Sequence, residues 1–182
     1  MRKLFSLTTV ASGAAIGMIV AGVFALIGGA YDQKVVRDQL RPQQIYFPAQ
    51  GKALPPDLNQ YAGQQVDTAK EAKAYANDYI GLHLSEVAGG KTYSQVSAAW
   101  LKDPTNAKLA QQRQTLFMGE TLRGLLLNAW GWGTIGTIAT IAGIALIGIG
   151  GILLAIPILA AFAARRRETA GAVTVPKPTA AA

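Results

Sequence analysis

Two stretches of this chain carry no charge, and they constrain everything else. From Leu4 to Tyr31 there are 28 residues without a charged side chain, and from Gly124 to Ala164 there are 41. About 20 apolar residues in a helix cross the hydrocarbon core of a bilayer, so each stretch is long enough for a membrane helix. The sequence predicts an all-α membrane protein. Two transmembrane helices, 4–31 and 134–162, flank a small, mainly helical extracytoplasmic segment, 32–133, with a Pro-rich extended part. Residues 1–3 form a cytoplasmic N-terminus and 163–182 a disordered cytoplasmic tail. A cleaved signal peptide is the other reading of the first stretch, with Gly28-Gly29-Ala30 as small residues for cleavage. The apolar core of such a peptide is about 7–15 residues, well short of this run, which favours a retained anchor.

The second stretch exceeds a simple crossing. As a helix it would reach roughly 60 Å, about twice the core thickness. Counting back from Arg165, Arg166 and Arg167 places the crossing at 134–162. Trp130 and Trp132 then fall at the outer interface as anchors, and the three arginines mark the inner one. Pro157 lies near the inner end, where a kink is tolerated.

Charge supplies the orientation. The net charge is +7, from 17 Lys+Arg and 10 Asp+Glu. Residues 32–123 hold 11 basic and 9 acidic side chains, and the two ends hold 6 and 1. Most of the excess therefore flanks the apolar stretches, and basic flanks stay on the cytoplasmic side. Both termini are expected in the cytoplasm and the middle segment outside the plasma membrane. A mixed outer segment of net +2 excludes a nucleic-acid surface.

In the middle segment, 32–65 reads as mostly extended, because Pro42, Pro48, Pro55 and Pro56 forbid a long helix there. The alternative for its first residues is that the first helix continues outward through Leu40, since 32–41 holds no breaker before Pro42. Gln43–Phe47 alternates weakly and suits one short strand without an obvious partner. Asp67–Val87 reads as a helix, opened by the capping box Thr68-Ala-Lys-Glu71. A second box, Thr92-Tyr-Ser-Gln95, opens a helix through Leu101. Asp103-Pro104 predicts a third helix, with Asp103 as N-cap and Pro104 in the first position, running on through Leu116 and Leu122.

Chemical motifs are sparse. Cysteine is absent and His83 is the single histidine, so thiol, disulfide and multi-histidine metal chemistry are excluded within one chain. Gly131-Trp-Gly133-Thr-Ile-Gly136 fits a dinucleotide-binding pattern, but it follows a helix rather than a strand. A flexible joint is the expectation there. Gly89-Gly90-Lys91-Thr92 looks like the end of a phosphate-binding loop. The Gly that the full pattern needs is Ser85, and a helix cap followed by an N-cap accounts for each residue. His83 reads as a structural, hydrogen-bonded histidine. No catalytic, cofactor-binding or metal-ligating residue is assigned, and no cofactor.

Small residues are the remaining pattern. Gly13, Gly17, Ala21, Ala25 and Gly29 recur every four residues, and Gly136, Gly143 and Gly150 every seven. Such ladders let helices approach closely. They predict a helix-packing interface, between the two spans or with partner spans.

The anchor, Leu54-Pro-Pro-Asp-Leu58, Tyr61-Ala-Gly63, Ala88-Gly-Gly-Lys-Thr-Tyr93 and Glu120-Thr-Leu-Arg-Gly-Leu-Leu-Leu-Asn128 together resemble an actinobacterial family of two-span membrane proteins. That family is similar to the association factor of the respiratory supercomplex, which accompanies the fused cytochrome bcc–aa3 oxidase. The resemblance covers roughly residues 3–162. It implies a non-catalytic accessory subunit whose partners are integral membrane subunits and lipid, with no nucleic acid and no small-molecule substrate. Some members are described as aromatic ring-opening dioxygenases. That chemistry needs two histidines and a carboxylate on iron, which one histidine cannot supply. A stand-alone envelope scaffold or sensor is the alternative that the residues leave open.

Overall fold

The computed structural model describes residues 2–172, with side chains from 9 to 167. Of the expected tail, 173–182 lie outside the described residues, as do the side chains of Arg2 and Lys3. The fold is all-helical. The elements are α1 (Arg2–Leu40), two 3-10 turns (Arg41–Gln43 and Pro56–Tyr61), α2 (Ala69–Ala74), a π-helical turn (Tyr75–Ile80), α3 (Gly81–Val87), α4 (Tyr93–Lys102) and α5 (Ala107–Ala172). Two helices are long and apolar enough to cross a membrane. The chain divides into two compact units. One takes residues up to Ile27 and from Thr140 on, and the other is Gly28–Ala139.

In the second unit, α1 stops at Leu40 because Pro42 enters the next turn, where Gln44 takes a left-handed φ of 51°. The proline-rich chain that follows is irregular. Its one pairing is an isolated antiparallel bridge, Tyr46 with Gln65, so the expected strand is reduced to a single bridge. Phe47 N donates to Gln64 O at 2.9 Å and Val66 N to Ile45 O at 2.8 Å. Among the described residues there is no strand.

Both capping boxes form. Thr68 Oγ1 accepts from Glu71 N at 3.3 Å, and the Glu71 carboxylate accepts from Thr68 N at 2.9 Å and from Asp67 N at 3.0 Å. Thr92 and Gln95 repeat the pattern. The helix after Thr68 runs from α2 through the π turn into α3, and ends where Gly89 and Gly90 adopt positive φ.

Asp103 does not cap the next helix. Its carboxylate accepts from Thr105 and Asn106 at 3.1 and 3.0 Å, and 103–106 form a turn. Asn106 Oδ1 accepts instead from Leu109 N at 3.2 Å, so α5 starts three residues later than expected, at Ala107. Asn106 is as good an N-cap as Asp103 and is not engaged elsewhere as an acceptor by the turn.

The core of this unit gathers Val36, Leu40, Phe47, Leu54, Leu58, Val66, Ala72, Ile80, Leu84, Val96, Leu116 and Leu126. Leu116 and Leu126 show that the first turns of α5 pack on protein. The helix then passes through Gly131, Gly133 and Gly136 without a break, so no joint forms there. Three glycines cost a helix about 1 kcal/mol each. Two of them, Gly133 and Gly136, are buried at close contacts that offset this cost.

Candidate interaction surfaces

In the unit of the two chain ends, the apolar halves of α1 and α5 meet along a seam of small residues. Ala15, Gly22, Gly143 and Gly150 are buried there. A Cβ on Gly22 would stand 2.8 Å from Gly143 O, and one on Gly150 would stand 2.8 Å from Ala15 O. Ile19, Leu26 and Ile147 fill the spaces beside these contacts. Contact points fall seven residues apart on each helix, the repeat that keeps one stripe facing a partner. Backbones this close allow Cα–H···O contacts, which favour association when no hydrophobic effect drives it.

The four-residue ladder on α1 lies mostly off this seam. Gly13, Gly17 and Ala21 are exposed, and a Cβ at Gly13 or Gly17 would meet nothing within 4 Å. Ala25 is half-buried. On α5, Gly148 and Gly151 are equally open. Around them stand exposed large apolar side chains, among them Val20, Phe24, Ile144 and Ile152. Arg165, Arg166 and Arg167 are exposed at the end of the charge-free run.

In the second unit, Gly29 and Gly136 are buried together. A Cβ on Gly136 would lie 3.0 Å from Gly29 O. Beside them the Gln33 amide donates to Gly133 O at 2.8 Å and to Thr137 Oγ1 at 2.9 Å. Gly133 faces the Cβ of Ala69, the first residue of α2, with no room for a methyl between them. The seam residues Ala15, Gly22 and Ala69 escape the four-residue reading. The signal that finds the first two is the spacing Ala15–Gly22–Gly29–Val36, which matches Gly136–Gly143–Gly150 on α5.

The two tryptophans separate. Trp130 packs against the core, with the Lys73 ammonium 4.6 Å from its ring centre. Trp132 is 56% exposed. Arg123, the last charge before the apolar run of α5, ties that helix to the π turn. Its Nη2 donates to Asn77 Oδ1 at 3.2 Å, and its Nη1 pairs with Glu120 at 3.2 Å. Arg113 stacks on Trp100 at 4.2 Å.

His83 ends a column of rings: Tyr61, Phe47, Tyr75, Tyr79 and His83, with centroids 4.5–5.0 Å apart. Its Nδ1 hydrogen-bonds Tyr79 O at 2.8 Å and the side chain is exposed. Burial, and then Tyr79, push the Tyr75 phenol above its ordinary value. Among the described residues no group of three His, Asp or Glu side chains is placed to hold a metal.

The last feature is an apolar cleft of about 390 Å³ between the end of α1 and α5. Val36, Leu40 and Leu126 form its buried floor, and Val35, Leu122, Leu125 and Trp132 its exposed rim. The polar groups on it are the neutral amides of Gln39, Gln43 and Asn128.

No protein-family model matches the chain, and no curated protein or solved structure matches it.

Proposed function

We propose that this chain is a two-span plasma-membrane protein and a non-catalytic accessory subunit of a membrane complex. The observation that carries this reading is the division of its small residues into two sets. Ala15, Gly22, Gly143 and Gly150 are consumed by the contact between α1 and α5, whereas Gly13, Gly17 and Ala21 lie open among exposed apolar side chains. In a bilayer, open small residues on an apolar helix are where another helix packs most closely. The exposure itself supports insertion: few residues of either apolar helix are buried, unlike the core helix of a water-soluble protein.

Family resemblance names the complex as the respiratory bcc–aa3 oxidase assembly. The basic ends then lie in the cytoplasm and residues 32–133 outside. The partners are integral membrane subunits, and the chain itself holds no cofactor and turns over no substrate.

Purification in a mild detergent tests the assignment. The expected eluate contains haem-bearing membrane subunits, and Gly17→Leu lowers their yield without lowering the amount of this chain. An eluate of the chain alone, or of its homo-oligomer, overturns the assignment and favours a stand-alone scaffold or sensor. Alkaline phosphatase fused after Gly90 is expected to be active, and after Glu168 inactive. The reverse pattern overturns the orientation.

A further inference from the structure

We infer that Arg113, stacked on Trp100, is a socket for an aspartate or glutamate carboxylate on the outer part of a partner subunit. The inference rests on the accessory-subunit reading above and gives the chemistry of one contact.

The first observation is a pair of donors without acceptors. Trp100 Nε1 and Arg113 Nε are buried and have no hydrogen-bond partner among the described residues. A buried donor in this state has lost its hydration, so an acceptor that reaches it is stabilising. Both belong to one stack, with the guanidinium carbon 4.2 Å from the indole centre. Stacking covers the face of the guanidinium and leaves its edge, where the N–H groups lie, for a planar acceptor such as a carboxylate. Arg37 and Arg41 pair with Asp67, and Arg123 with Glu120. Arg113 is the arginine of the Gly28–Ala139 unit that has no carboxylate partner among the described residues.

The second observation is the cavity beside the stack. Arg113 lines it together with Tyr93, Ala110, Gln114 and Phe117, and no acidic side chain is among them. Tyr93 and Gln114 add a hydroxyl and an amide whose hydrogen bonds are unused among the described residues. Phe117 and its neighbour Met118 are both more than half exposed. An apolar rim around a charged socket suits a protein surface better than a free ion.

The third observation is where the charge lies. Residues 91–118 hold Lys91, Lys102, Lys108 and Arg113 against Asp103 alone, whereas the rest of 32–123 holds 7 basic and 8 acidic side chains. The positive excess of the outer segment is therefore confined to α4 and the first turns of α5, and an acidic partner complements it. A lipid phosphate is out of reach. Arg113 lies 21 residues before Thr134 on one unbroken helix, about 31 Å, whereas headgroups extend about 5–8 Å beyond the hydrocarbon core.

The test uses the full chain with the membrane subunits that co-elute in mild detergent. Arg113→Gln is expected to lower their yield about tenfold, the effect of one charge-assisted hydrogen bond lost at an interface. Lys102→Gln removes the same charge from the exposed end of α4, outside the cavity, and is expected to leave the yield unchanged. Arg113→Lys keeps the charge and supplies an amine. Water-soluble carbodiimide, added to membranes before solubilisation, couples that amine to a touching carboxylate as an amide and takes up the released water as a urea. Peptide mass spectrometry is expected to find position 113 joined to an Asp or Glu of a co-eluting subunit. This readout does not depend on Arg113→Gln folding. Absence of that amide, with subunits still co-eluting with the wild type, overturns the inference and leaves the accessory reading standing. Equal losses from Arg113→Gln and Lys102→Gln also overturn it, as unspecific attraction. Stabilisation of the wild-type chain by succinate, abolished in Arg113→Gln with no subunit lost, overturns it in favour of a soluble carboxylic acid. A wild-type eluate without other subunits overturns both readings.

Discussion

Gly22 and Gly143 face each other backbone to backbone: a methyl on Gly22 would stand 2.8 Å from Gly143 O, and one on Gly143 would stand 2.7 Å from Gly22 O. Neither obstacle is a side chain that can rotate away. Gly143→Ala must therefore separate the two helices locally. Overpacking of this kind costs about 1–3 kcal/mol, and the gain in helix propensity returns at most about 1 kcal/mol. Unfolding of the purified protein by SDS titration in micelles is expected to shift to lower SDS. Gly13→Ala serves as the comparison, since its methyl meets nothing within 4 Å. It is expected to leave the midpoint unchanged or raise it.

A second contact of the same type can be reversed by exchange. Gly133 leaves no space for a methyl because the Cβ of Ala69 occupies it. Gly133→Ala is expected to destabilise the Gly28–Ala139 unit by about 1–3 kcal/mol. Adding Ala69→Gly vacates the space, so the double variant recovers most of that loss. The two changes are then coupled by about 0.5–3 kcal/mol, in the sense that each relieves the other. Gly131→Ala, with open space around it, is expected to add up to about 1 kcal/mol. Thermal unfolding of the four variants checks the cycle.

How much of this was legible depends on how local each signal is. The end of α1 at Leu40 and the two capping boxes follow from residues no more than three positions apart, and they are seen where the spacing put them. The start of α5 moved from Asp103 to Asn106 because both residues cap equally well. The choice between them is made by a turn whose hydrogen bonds close only in three dimensions. Glycines at 131, 133 and 136 suggest a joint until Ala69 and Gly29 stand opposite two of them. On α1, steps of four and steps of seven are equally regular. Only the helix lying opposite decides that Ala15 and Gly22 face inward while Gly13 and Gly17 do not. The cleft was invisible for the same reason, since Val36, Leu40 and Leu126 are brought together across some 90 residues of chain.

The capping box at Thr68 opens the helix that buries Ala69, Ala72, Ala74, Ala76, Ile80 and Leu84. Thr68→Ala removes the acceptor for Glu71 N and leaves that donor without its partner. The expected cost is about 1 kcal/mol, within the range of about 0.5–2 kcal/mol for such caps. Amide hydrogen exchange is the discriminating measurement. Protection should fall first at residues 69–72, ahead of the exchange of Val96 or Leu116. Uniform loss across all of them would mean that the cap is not a local device.

Alkaline pH is expected to loosen the same core through Tyr75. Its ring stands edge-on to Phe47 at 5.0 Å and beside Tyr79 at 4.8 Å. Its phenol is raised above the ordinary 10.0, first by burial and then by Tyr79. Between the unfolded and folded values, the unfolded chain gives up the proton and the folded chain keeps it. The unfolded state then binds fewer protons, so stability falls as pH rises. The contribution is fully present below about pH 10 and is lost as the pH climbs through the folded value. Tyr75→Phe keeps the ring contacts and removes the ionisation. The informative quantity is the difference between the two proteins, in which every contribution they share cancels. Unfolding midpoints are expected to run parallel below about pH 10 and to diverge above it, with wild type losing stability faster than Tyr75→Phe. Parallel curves throughout would show that Tyr75 ionises without feeling its burial.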